Sequence, residues 1–68
     1  MSALLPTDES LAALFASLKV RKIKRMDLVD ATRISYARLS AIEHKRGQPA
    51  SDYERQRIAQ AIPQLLKN

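Results

Sequence analysis

The side chains here that can do chemistry at a surface are cations. Nine of the twelve Lys and Arg residues fall between Lys19 and Arg46, and the formal net charge is +5. Four of the seven acids, Asp8, Glu9, Asp52 and Glu54, cluster at positions where helices are expected to start. That asymmetry favours an anionic partner over ordinary solubility charge, although charge alone does not say which anion. Within the basic stretch lies a slimmer run, in which the small residues Ala37, Ser40 and Ala41 accompany the two long side chains Tyr36 and Arg38. Small residues flanked by cations suit contact with a groove whose walls are phosphates. Enzyme chemistry has little to work with, since there is one His (His44), no Cys and one Gly (Gly47). Thiolate metal sites, disulfides and phosphate-cradling glycine loops all need residues that are missing. No enzyme, metal, cofactor or small-molecule substrate is expected.

These residues must be held by helices. A hydrophobic share of 46% suffices for a small core and argues against disorder. The single Gly and scattered β-branched residues favour helix over sheet. Sixty-eight residues make one domain, spanning 1–68, with 1–6 expected to be a flexible lead-in. No apolar run approaches a membrane span or a signal-peptide core, so a soluble cytoplasmic protein is expected, nucleoid-associated if the anion is DNA.

Thr7 is a candidate N-cap, with Asp8 and Glu9 in the first turn, and Leu11, Leu14, Phe15 and Leu18 share one helical face. Continued past Val20, that stripe would bury Arg21, Lys22 and Arg25, while the apolar phase restarts at Ile23, Leu28 and Val29. The pattern therefore predicts helices over about 8–21 and 25–32, broken at 22–24. Ser35 caps a third helix in which Leu39 and Ile42 point inward and Tyr36, Ala37, Ser40, Ala41 and His44 point away. Gly47 and Pro49 end it. Ser51-Asp52-Tyr53-Glu54 is a capping box opening a fourth helix over 52–62, which Pro63 is expected to end, with Pro63-Gln-Leu-Leu able to form one further turn. Phe15, Tyr53, Ile58, Ala61 and Ile62 are expected in the core. Leu65 and Leu66 have little core left to join and are assigned, with the fourth helix, to a dimer surface.

A short helix, a tight turn and a second helix with a slim exposed face, over about 25–44, form a helix-turn-helix. Leu28 and Val29 must meet Ile34, Leu39 and Ile42 to hold the second helix outward, toward a major groove about 12 Å wide. On Leu28-Val29, Ile34-Ser35, Leu39, Ile42-Glu43, the Gly47–Pro49 loop and Ile58-Ala59-Gln60-Ala61-Ile62, residues 14–62 resemble the lambda-repressor-like family of Cro and CI type, also called the XRE family. The resemblance implies an all-α, compact four- to five-helix domain that binds operator DNA as a dimer, usually to repress transcription. It is marked by departures. Arg33 stands at the usual turn glycine, Val29 replaces an alanine, Lys24 replaces a better N-cap, and Leu18 occupies the place of an arginine that pairs with the Glu43 position. Glu43 then needs another partner, Arg21 or Arg25.

On this reading Tyr36, Ala37, Arg38, Ser40 and Ala41 read bases, while Lys24, Arg25, Ser35, His44, Lys45 and Arg46 contact phosphates. Arg38 either bonds base edges, guanine O6 and N7 being the usual target, or anchors phosphate; its spacing does not choose. The expected partners are a double-stranded operator and a second copy of the chain in a homodimer, as for a phage- or mobile-element-type repressor. The alternative is a protein-interaction module on the same fold, such as an antitoxin or anti-repressor. A toxin-binding antitoxin usually carries a further segment, which ranks this second.

Overall fold

Local chemistry closes each helix where the sequence supplies capping groups. The computed structural model describes residues 5–67, in which the chain forms α1 (Asp8–Val20), α2 (Arg25–Thr32), α3 (Tyr36–Glu43) and α4 (Asp52–Lys67), with no strand among the described residues. The Thr7 hydroxyl accepts the Ser10 amide at 3.1 Å to start α1, and the Ser35 hydroxyl accepts the Arg38 amide at 3.2 Å to start α3. The α4 capping box is reciprocal: Ser51 Oγ accepts the Glu54 amide at 3.1 Å, and Glu54 Oε1 accepts the Ser51 amide at 2.8 Å. Lys24, at the start of α2, makes no side-chain cap.

Three helix ends turn through left-handed residues that are not glycine. After α1, Lys22 has φ 58° and donates to the Lys19 carbonyl at 3.0 Å, while the Ile23 amide reaches the Leu18 carbonyl at 2.9 Å. This paired closure breaks the chain between α1 and α2 and returns Ile23 to the core. After α3, Lys45 (φ 56°) and Arg46 repeat it on the Ile42 and Ala41 carbonyls. Arg33 ends α2 at φ 64°. There the buried Thr32 hydroxyl donates to the Leu28 carbonyl at 2.7 Å and accepts the Ile34 amide at 3.2 Å, so a polar group in the interior is satisfied. Each non-glycine residue in this conformation costs roughly 1 kcal/mol.

The core joins Leu11, Phe15 and Leu18 of α1 to Leu28, Ile34, Leu39, Ile58, Ala61 and Ile62. Leu28, Leu39, Ile58 and Ile62 are fully buried, each contributing about 1.5–3 kcal/mol relative to exposure. The long α4 lies against α1 and α2, and α3 rests on α2 and α1. Among the described residues no helix is long and apolar enough to cross a membrane.

Two expectations are corrected. Pro63 does not end α4, which runs through it to Lys67. The lost proline amide is outweighed because the stripe Ile58, Ala61, Ile62 continues at helical spacing into Leu65 and Leu66, which pack half-buried on the core. Those leucines therefore do find core to join, and each keeps part of its surface exposed. Tyr53 is exposed (63%) instead of buried, since it precedes Ile58 by five residues and so lies roughly 140° around the helix from it. Its ring instead faces the Arg57 guanidinium, 5.9 Å from the ring centre. Of the expected flexible lead-in, residues 1–4 lie outside the described residues, and the Pro6 carbonyl is held by Arg55 Nη1 at 2.9 Å.

Candidate nucleic-acid interface

Charge on α3 runs against its own dipole. Arg38 lies in the first turn and Glu43 at the last position, with no acid in the first turn and no base in the last. Each is unfavourable within the helix, so tertiary partners must account for both. Arg38 Nε and Nη2 grip Glu54 Oε2 and Oε1 at 2.7 and 2.8 Å, while Nη1 and Nη2 donate to the Gln48 and Pro49 carbonyls at 3.1 and 3.2 Å. This fork ties the start of α3 to the α3–α4 loop and to the first turn of α4. The hydrogen bonds from Arg38 hold the Glu54 carboxyl down at about 2, helped by the Ser51 amide and opposed by partial burial. The same pairing raises the Arg38 pKa further.

At the far end, the largely buried Glu43 carboxylate pairs with Arg25 of α2 and with Lys19 of α1 at 2.9 Å. Arg25 is thus one of the two partners expected for Glu43, and Lys19 is the one that spacing missed. The Arg25 guanidinium also lies 5.3 Å from the centre of the Tyr36 ring, with a weak 3.5 Å contact from Nη1 to the phenol oxygen. Glu43 thereby orients Arg25, and Arg25 orients Tyr36.

Between these two anchors one side of α3 is partly outward, and at its edge Ala41 also lines a cleft with Leu11, Ala12 and Phe15 of α1. Tyr36 and Ala37 are exposed, Ser40 and Ala41 are half-buried, and His44 is exposed at the end. Ser40 is tethered from Arg46, whose Nη2 donates to its hydroxyl at 3.2 Å. His44 Nδ1 donates to the Ser40 carbonyl at 3.0 Å; a carbonyl can only accept, so Nδ1 carries the hydrogen and Nε2 is left for another contact. Ser35, Lys24 and Lys45 are exposed at helix ends. Arg25 and Arg38 differ from the other candidates because both guanidinia are committed to carboxylates within the fold.

Further arginines that sequence reasoning did not single out complete the frame. Arg55 Nη2 binds Asp8 Oδ1 at 2.7 Å, tying α4 to the start of α1, and Arg57 Nε donates to the Thr32 carbonyl at 3.3 Å. The Arg38 and Glu43 anchors did leave a sequence signal, in charges placed against the helix dipole. No protein-family model matches the chain, and no curated protein or solved structure shows a significant match to it.

Proposed function

We propose that this chain is a sequence-specific DNA-binding regulator of the lambda-repressor-like helix-turn-helix kind, which sets α3 into the major groove as a homodimer on an inverted repeat. The observation that carries this reading is the outward face of α3, slim at Ala37, Ser40 and Ala41 and fixed at both ends by ion pairs. A reading helix has to be slim enough to enter the groove and rigid enough to hold register. Tyr36, Ala37, Ser40 and Ala41 face the bases; Lys24, Ser35, His44, Lys45 and Arg46 face phosphates. Arg25 and Arg38 act as positioning residues, which replaces the direct contacts first assigned to them. Two copies would read half-sites about 10 bp apart, one helical turn.

Selection of bound duplexes from a random pool, followed by a salt titration of binding to the winner and a scrambled duplex, tests this. A two-fold-symmetric winner is expected, and Lys24, Lys45 and Arg46 from both copies neutralise about six phosphates, giving a slope of log K against log salt of about −5.4. Equal and salt-insensitive binding to both duplexes would sink the reading.

A further inference from the structure

The cations of this chain divide into two groups. Lys19, Arg25, Arg38, Arg55 and Arg57 each take a side-chain partner that holds the fold, and Arg46 donates to Ser40 on the outward side of α3. Arg21, Lys22, Lys24, Arg33, Lys45 and Lys67 make no side-chain hydrogen bond or ion pair among the described residues and are exposed, and of these Lys22, Arg33 and Lys45 stand apart by their backbone. These three are also the only non-glycine residues at positive φ among the described residues, with φ of 58°, 64° and 56°. Glycine relieves that conformation and asparagine tolerates it best among L-residues, yet all three sites carry Lys or Arg.

Helix dipoles favour a cation near each of these ends, α2 and α3 having none in their last turn, but they do not explain its placement at a strained residue. A cation one or two residues earlier, at ordinary φ, would serve a helix C-terminus as well, as Lys19 does in the last turn of α1. A strained residue whose backbone closes a helix but whose side chain makes no bond within the fold points to a use for that side chain outside it. Location supplies that use: Lys22 precedes Lys24 by two residues, Arg33 precedes the Ser35 cap by two, and Lys45 lies between His44 and Arg46. Arg33 also lines an open groove of about 620 Å³ with Ser35, Arg38 and Tyr53, where the starts of α3 and α4 meet.

We infer that Lys22 and Arg33 join Lys45 as backbone-phosphate contacts, and that all three keep a left-handed conformation which glycine would relieve because binding requires their charge. The inference rests on the DNA reading above and extends its contact set.

The test uses Lys22→Gly, Arg33→Gly and Lys45→Gly, with Lys67→Ala at the far end of α4 as a control for losing one positive charge. Thermal melting and salt titrations on the selected duplex are the two readouts. Each glycine variant should melt about 4 °C higher while its slope of log K against log salt flattens by about 1.8, since one charge is lost from each copy of the dimer. Lys67→Ala should leave the slope unchanged. Arg33→Lys should keep the binding of the unsubstituted protein without the gain in melting temperature. Glycine variants that melt higher with unchanged slopes, or that melt lower, would overturn the inference while leaving DNA binding intact. Failure of the unsubstituted protein to bind any duplex would instead overturn the DNA reading itself.

Discussion

The two ends of α3 are anchored by opposite arrangements. At its start the helix supplies the cation, Arg38, and α4 supplies a single carboxylate, Glu54, already engaged by the Ser51 amide. At its end the helix supplies the anion, Glu43, and two cations from α1 and α2 share it. The first anchor is one-to-one, with every donor aimed at a fixed acceptor. The second is distributed, and one of its cations also touches Tyr36 on the outward face. The start of α3 should therefore be brittle and indifferent to what the helix reads, whereas the end should be tolerant and coupled to it.

Arg38→Ala is the most severe way to break that contrast. It strands a largely buried carboxylate and frees the Gln48 and Pro49 carbonyls, so the melting temperature should fall by roughly 10 °C. Binding should weaken on all sequences alike, since a guanidinium committed to Glu54 does not read bases. A changed sequence preference with unchanged melting would return Arg38 to the reading face.

Acid separates the two ends next. The folded pKa of Glu54 is lowered, so its contribution is fully present above its ordinary value of 4.5 and is lost as pH falls toward about 2. The loss should be on the order of 1 kcal/mol after allowing for solvent screening. Urea unfolding followed between pH 5 and about pH 2 should show it, and Glu54→Gln should flatten that part of the profile.

Most of the architecture was legible in the sequence because it is local. The Thr7, Ser35 and Ser51 caps act within three residues of themselves, and the break after α1 follows from where the apolar stripe meets Arg21 and Lys22. The end of α4 was misread because a rule about proline outranked the continuing stripe, and Leu65 and Leu66 decided the outcome through tertiary burial. At the candidate interface, helical phase was enough to put Tyr36, Ala37, Ser40 and Ala41 on one face. Arg38 was the hard residue. Its phase lies between core and surface, and its partners are 10 to 16 positions away, beyond any local rule. The clue that could have found it is its sign, wrong for the first turn of a helix.

The smallest effects test the tolerant end. Lys19 is 69% exposed, so Lys19→Ala should change stability by less than about 0.5 kcal/mol. Arg25→Ala should cost about 1 kcal/mol, since Lys19 still faces the Glu43 carboxylate, and it should also release Tyr36. The double variant is the sharper measurement. With both cations gone, Glu43 is left 8% exposed and unpaired, so the combined loss should exceed the sum of the single losses by about 1 kcal/mol. Urea unfolding of the four proteins gives that coupling directly. A strictly additive result would mean that the cations do not substitute for one another, and the end of α3 would then be as brittle as its start.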